Sequence, residues 1–171
     1  MRIGRLIARL LIGGLFIGHG LQKLAGWFGG AGIDGTSAGM EQMDMYPAKP
    51  QAIAAGVAET GAGVLLAAGL ATPLAATAVT SVMLTAIRKV HLQNGPWSQN
   101  GGWEYNAVLI ASALAITDAG PGPISLDAVL GKERKGPGWM AAALGAGAIG
   151  SVAAIAAGKA LKPKQGTTTY A

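Results

Sequence analysis

An apolar run near the amino terminus, RLIARLLIGGLFIGHGLQK at residues 5–23, restricts the fold more than any other feature. About 20 such residues suffice for a helix to cross the hydrocarbon core of a bilayer, where backbone groups must bond within the helix. His19 and Lys23 lie near its end, four residues apart and therefore on one helical face. The sequence thus predicts a membrane-spanning helix over residues 5–28 whose polar groups need partners inside the protein.

The composition agrees with a membrane protein. Of 171 residues, 51% are hydrophobic and only 12% are charged, about half the charged fraction of a soluble domain. The 28 glycines suit helices that pack closely in lipid. We therefore expect an all-α fold, a polytopic transmembrane helical bundle.

Several kinds of site are disfavoured. The chain has no cysteine, which excludes a disulfide, a thiol redox pair, an iron–sulfur cluster and a thiolate zinc site. Two histidines are too few for a multi-histidine metal site, so we expect no metal and no covalent cofactor. The net charge of +5 is spread over the flanks of apolar segments, which favours anionic lipid headgroups over nucleic acid.

Four further apolar segments follow the first, at about residues 51–71, 73–91, 103–120 and 138–158. The sequence between the first two is rich in glycine and polar residues and reads as a loop outside the hydrocarbon, with room for a short interfacial helix at 38–46. The predicted organisation is a four-helix core (1–120), a polar connector (121–137), an additional transmembrane helix (138–158) and a basic, polar tail (159–171).

The distribution of basic residues predicts the orientation. Arg2, Arg5 and Arg9 place the amino terminus in the cytoplasm, and the first segment lacks a small-residue cleavage site, so we interpret it as a retained helix. With five crossings, the first four return the basic connector to the cytoplasm, but the fifth puts the basic tail outside. Either residues 138–158 insert only in part, or the early helices set the topology and the tail is tolerated.

With this orientation, seven polar residues of different segments converge on one level of the outer half of the membrane: His19, Lys23, Glu59, Arg88, His91, Glu104 and Asn106. Glu59 is the deepest, and a carboxylate in hydrocarbon must be neutralised or paired, with Lys23 and Arg88 as the available cations. Structural alternatives stay open: boundary lysines and arginines snorkel, His19 bonds a neighbouring helix, Glu104 serves a helix amino terminus, or an ion pair only fixes the bundle.

Small residues predict where helices approach. Gly56 and Gly63 share the helical face of Glu59, so this carboxylate should lie where neighbouring helices come close. In the first segment, we assign Gly14 and Gly18 to helix packing.

Three stretches, RLLIGGLFIGHGLQKL, VAETGAGVLLAAGLATPLAA and WEYN, resemble the DoxX family of small bacterial membrane proteins over about residues 5–120. The resemblance implies a four-helix bundle in the bacterial plasma membrane and places His19, Lys23, Glu59 and Glu104 on recurrent polar positions of the family. It also implies partners, because some members are subunits of a thiosulfate:quinone oxidoreductase and others associate with superoxide dismutase and a sulfurtransferase.

These observations lead to two main hypotheses. The first is a membrane subunit that binds a quinone or small lipid and supports an oxidoreductase or oxidative-stress system, with Glu59 or His19 relaying a proton. As an enzyme it would be at most a subunit of a quinone-linked oxidoreductase. The second is a non-catalytic scaffold of a larger respiratory or envelope complex. A transporter is a third possibility, weakened by the short chain and the lack of inverted repeats.

Overall fold

The computed structural model describes residues 2–163, and these form a helical bundle, which confirms the predicted fold class. Within these residues the α-helices are, in chain order, α1 (Arg2–Leu24), α2 (Gly32–Gln42), α3 (Ala48–Ala68), α4 (Thr72–Ala86), α5 (Glu104–Ala119), α6 (Leu126–Val129) and α7 (Pro137–Ala160). A π-helical turn, Ile87–His91, continues α4 without a break. Of the tail predicted at 159–171, the part from residue 164 onwards lies outside the described residues.

Three helices are long and apolar enough to cross a membrane: α1 from Ile3 onwards, α3 and α7. The two remaining predicted crossings are shorter. α4 has 15 residues and gains five from the π turn, whereas α5 has 16 residues and extends about 24 Å. Since the hydrocarbon core is about 30 Å thick, α5 reaches across it only with its flanking loops.

The segment after α1 differs from the prediction. Residues 32–42 form the helix α2, so the short helix expected at 38–46 begins six residues earlier and ends before Asp44. Gly32 and Asp44 have positive φ, and these conformations turn the chain at both ends of α2. α2 packs against α3 and α1 and covers one end of the bundle.

α4 is the central helix, because it packs against α3, α5 and α7. Ala75, Ala76 and Val79 on this helix are completely buried, and Phe16 of α1 and Leu66 of α3 join them in the main apolar core. Small side chains at these positions let the helices approach closely, which is the usual basis of helix association in lipid.

α7 packs along α4 through small and hydroxyl residues. Gly147 faces the Thr80 side chain, and the Ser151 hydroxyl lies 3.0 Å from the Thr85 hydroxyl. Such bonds satisfy polar groups that would otherwise face hydrocarbon. The far end of α7 reaches the α2–α3 loop, where Lys162 forms an ion pair of 2.8 Å with Asp44. The hydrogen bond from Lys162 lowers the pKa of the exposed Asp44 carboxyl.

A buried arginine holds the connector against the opposite end of the bundle. Arg9 of α1 is 1% exposed and donates hydrogen bonds of 2.7 Å to the carbonyls of Pro121 and Ile124. Asp127 accepts hydrogen bonds from the backbone N–H groups of Ala71 and Thr72, so it caps the amino terminus of α4. Both side chains are buried, although the sequence predicted Arg9 in a charged helix flank and Asp127 in a polar connector.

α1 and α3 pack antiparallel with their backbones in close contact. A Cβ atom built on Gly63 would lie 2.6 Å from the Gly13 carbonyl oxygen, and one built on Gly20 would lie 2.7 Å from the Gly56 carbonyl. Gly14 and Gly18, which the sequence analysis assigned to packing, have open space at their Cβ positions. That prediction was wrong by one and two positions, because the α1 glycines that face α3 are Gly13 and Gly20.

The first prediction concerns this contact. Gly63→Ala should lower the free energy of unfolding by about 1–3 kcal/mol, because the new methyl group meets backbone atoms of α1 and forces the helices apart. Gly14→Ala is the matched control, since its methyl group enters open space. Unfolding in mixed micelles with increasing SDS measures both; equal stability of the two variants would contradict the predicted interface.

Candidate functional site

A partly open cavity of about 720 Å³ lies at the end of the bundle that α2 covers. α1, α3, α4 and α5 form its walls, and the α2–α3 segment and one residue of α7 close it. Most of its lining is apolar, including Phe16, Val82 and Leu109. Ala54, Ala55 and Ala58 line the α3 side, and their small side chains leave room that larger residues would fill.

A partly buried ion pair forms part of the cavity wall. The Lys23 ammonium lies 2.6 Å from Oε2 of Glu59, whose side chain is only 4% exposed. Lys23 and Glu59 belong to antiparallel helices, and each Cβ bond tilts toward the amino terminus of its own helix. The two side chains therefore lean toward one another across the α1–α3 contact, and the Lys23 ammonium pairs with the Glu59 carboxylate there.

His19 lies one turn before Lys23 and is oriented by a neighbouring amide. Its Nδ1 is 3.0 Å from Oε1 of Gln22, and the Gln22 amide nitrogen donates to the carbonyl of Phe28 at 3.3 Å. Phe28 lies in a tight turn with a positive φ of 53° that folds back onto α1. The turn after α1 thus fixes the orientation of the Gln22 amide, and this amide orients the His19 imidazole.

The π turn supplies the α4 side of the polar wall. Ser81, Thr85 and Lys89 repeat at four-residue spacing and line the cavity, whereas Arg88 is exposed and lies outside its lining. An ordinary α-helix would rotate His91 by about 140° from Ala86, but the wider π turn brings them closer to one face. His91 and Ala86 both line the cavity, and His91 Nδ1 contacts the Gly101 carbonyl at 2.7 Å.

α5 contributes Tyr105 and Asn106 to the lining. Asn106 is 7% exposed, and its amide donates to the sulfur of Met83 at 3.3 Å. A thioether is a weak acceptor, so this buried amide keeps unused hydrogen-bonding capacity. Met83 is one of four methionines in the lining, and these adaptable side chains are Met40, Met43, Met45 and Met83.

The structure brings five of the seven candidate residues to one cavity. They are His19, Lys23, Glu59, His91 and Asn106. Arg88 and Glu104 lie outside the lining, and Glu104 instead accepts a 2.7 Å hydrogen bond from the Ser98 backbone and so orders the loop before α5. Glu59 is paired with Lys23 rather than Arg88.

Sequence reasoning missed Lys89 and the methionines in this wall, and it missed Gln22, which lies outside the lining and contacts His19. The sequence prediction chose Arg88 instead of its neighbour Lys89. The four-residue spacing of Ser81, Thr85 and Lys89 indicates that Lys89 shares their helical face. Gln22 lies three residues after His19, a spacing that brings the side chains together on a helix. The spacing of Met40, Met43 and Met45 indicates nothing by itself, since their convergence depends on where α2 ends.

The residues of the cavity offer hydrogen-bonding and ionic groups rather than a metal site. Within residues 2–163, no group of three or more histidine, cysteine, aspartate or glutamate side chains is placed to hold a metal ion. The available groups are one buried carboxylate, two imidazoles, two ammonium groups, a phenol, two amides and three aliphatic hydroxyls. They line an apolar cavity and suit a ligand with an apolar body and a polar end.

These features define a class: a helical membrane protein with an apolar internal cavity that bears polar side chains. The sequence profile of the DoxX family matches residues 4–92, just over half of the chain. The chain therefore belongs to the DoxX family, which is generally associated with membrane oxidoreductase-related functions. Neither a curated protein nor a solved structure matches the sequence.

The matched segment contains α1 to α4 and the π turn, and hence His19, Lys23, Glu59 and His91. It ends before the WEYN stretch at residues 103–106, which the resemblance also used. α5, which provides Asn106, and α7 thus lie beyond the matched part of the chain.

The second prediction tests the ion pair. Lys23→Met should cost about 3–5 kcal/mol of unfolding free energy, because it leaves the buried Glu59 carboxylate unpaired. Glu59→Gln should cost less, because the remaining Lys23 ammonium is partly exposed. The double variant should recover at least half of the summed loss, since it leaves neither charge behind. Lys49→Met on the exposed start of α3 is the control. Strictly additive losses in SDS unfolding would contradict this assignment.

Proposed function

We propose that the cavity binds a quinone or small lipid and that the protein thereby supports a membrane-associated oxidoreductase or oxidative-stress system. The observation that carries the proposal is the combination of an apolar volume of about 720 Å³ with a polar wall of ionisable side chains. Cavities of roughly 300–1,000 Å³ enclose ligands of this size, and a few convergent polar groups orient them.

The lining residues fit an amphiphile with a flat or compact polar end. Phe16, Val82 and Leu109 offer apolar surface for a ring or chain, and the methionines adapt to its shape. The Asn106 amide can exchange its weak contact with the Met83 sulfur for a ligand oxygen. A bound quinone would supply reversible two-electron, two-proton chemistry.

The chain's own contribution to such chemistry would be the movement of protons. Glu59 uses Oε2 to accept from Lys23, and His19 lies one helical turn from Lys23. An ionisable residue inside a membrane protein is commonly part of a binding site or proton path. We assign Glu59 and His19 the proton-relay role and Asn106 an orienting role.

The third prediction tests ligand binding. Ala58→Trp should reduce the quinone or lipid that co-purifies with the protein at least fivefold, because the indole would occupy the cavity beside Glu59. Ala111→Trp is the matched control on the exposed face of α5 and should retain the ligand. Mass spectrometry of organic extracts measures the bound molecule, and titration with a quinone analogue of one isoprene unit measures affinity.

Equal ligand content in the two tryptophan variants would overturn this proposal. If, in addition, a large partner complex remained bound in mild detergent after Ala58→Trp, the non-catalytic scaffold would be the better account. The partners we propose for the ligand-binding function are oxidoreductase, superoxide dismutase or sulfurtransferase proteins at the membrane.

We also propose a bacterial plasma membrane location with a cytoplasmic amino terminus. Arg5 at the start of α1 donates to the carbonyls of Ala119 and Gly120, so it lies at the same end of the bundle as the connector with Lys132 and Lys135. The positive-inside rule, applied to the arginines that begin the chain and to this connector, supports a cytoplasmic position for their shared end. Lys159 and Lys162 then lie at the outer end, where Lys162 pairs with Asp44. The cavity would then open toward the outer half of the membrane.

The fourth prediction tests this topology. The natural chain is free of cysteine, so single cysteines can be introduced without background. Ala38→Cys on the exposed face of α2 should react with a membrane-impermeant maleimide in intact cells, whereas Lys132→Cys should react only after the membrane is opened. The reverse labelling pattern would contradict the proposed orientation.

A further inference from the structure

We propose that His19 and His91 each carry their proton on Nδ1 and offer an unprotonated Nε2, so that the site prefers a ligand with hydroxyl donors, of the hydroquinone type. This inference rests on the proposed ligand-binding function and specifies which form of the ligand the polar wall recognises. It follows from the hydrogen-bond partners of the two imidazoles, both of which line the cavity.

The tautomer of His19 follows from a chain of two hydrogen bonds. The Phe28 carbonyl can only accept, so the Gln22 atom that faces it at 3.3 Å must be the amide nitrogen. The Gln22 oxygen then faces His19 Nδ1 at 3.0 Å. Because that oxygen also only accepts, Nδ1 must carry the proton, and a neutral imidazole has Nε2 free as an acceptor.

The tautomer of His91 follows from a single bond. Its Nδ1 lies 2.7 Å from the Gly101 carbonyl oxygen, which again only accepts. Asn94 donates to the same carbonyl at 3.1 Å, so the loop that carries Gly101 is held on both sides. Nδ1 of His91 therefore bears the proton, and Nε2 is again the acceptor in the neutral ring.

Two fixed acceptors select between ligand oxygens. A hydroxyl group donates to an imidazole nitrogen and also accepts, whereas a carbonyl oxygen only accepts. The Lys23 ammonium is engaged by Glu59, while Lys89 provides a donor in the wall that either kind of oxygen can satisfy. Each imidazole can thus accept a hydrogen bond from a ligand hydroxyl, whereas a ligand carbonyl placed against either ring leaves its Nε2 unsatisfied.

Gln22 acts in this arrangement as a positioning residue. The turn that presents the Phe28 carbonyl requires glycine at position 30, because a Cβ atom built on Gly30 would collide with Gln22. The amide therefore has one orientation, set by backbone geometry rather than by the ligand. Removing its side chain should free His19 to exchange tautomers without changing His91.

The fifth prediction measures the tautomers directly. The chain contains two histidines, so ¹⁵N-histidine labelling in lipid nanodiscs gives two sets of ring signals. We expect Nε2 of both rings in the unprotonated range and Nδ1 in the protonated range without added ligand. Gln22→Leu should alter only the His19 signals, and Gln93→Leu, at an exposed position outside the cavity, should alter neither. A protonated Nε2 on both neutral rings would overturn the inference.

Binding of the two redox forms completes the test. The one-isoprene quinol should bind about tenfold more tightly than the matching quinone, and replacing both histidines with phenylalanine should abolish this difference. Tight but equal binding of both forms would overturn the hydroxyl preference and leave the proposed function standing. Binding of neither form, with no co-purified quinone or lipid, would overturn the proposed function itself.

Discussion

The pairing of Lys23 with Glu59 inside an apolar bundle is the interaction on which the candidate site depends. Neither charge is stable alone in hydrocarbon, and they meet only because α1 and α3 approach to backbone contact. The glycines at that contact determine the register of α1 relative to α3. The packing of two helices thus determines where the polar wall of the cavity lies.

The cavity beside this pair exists because its neighbours are either small or adaptable. Alanines line the α3 side, methionines close the end near α2, and the π turn widens the α4 side. π turns inside helices are frequent at functional sites, because the extra residue redirects side chains. Here the turn directs His91 toward the cavity. Lys89 lies on the same helical face as Ser81 and Thr85, so Lys89 and His91 add polar groups to a mostly apolar wall.

Much of the fold could be predicted from the sequence, because apolar length and charge distribution determine what can cross a bilayer. The convergence of polar residues could also be predicted, since depth in a membrane follows residue counting. The helix faces that contact one another could not be predicted in this way. Gly13 and Gly20 contact α3 instead of Gly14 and Gly18, and Lys89 lines the cavity instead of Arg88. These errors amount to one or two positions, a rotation of the helix face that depends on side-chain packing. The burial of Arg9 and Asp127 likewise depends on how the connector folds back, which no local pattern reveals.

A cryo-EM map of the protein, extracted with its native lipids into nanodiscs, tests the central claim most directly. The account predicts density for an amphiphile in the cavity, with its polar end against His19, Glu59 and His91 and its apolar body along Phe16 and Leu109. A cavity collapsed around the intact Lys23–Glu59 pair, without ligand density, would contradict it and leave the pair a purely structural element.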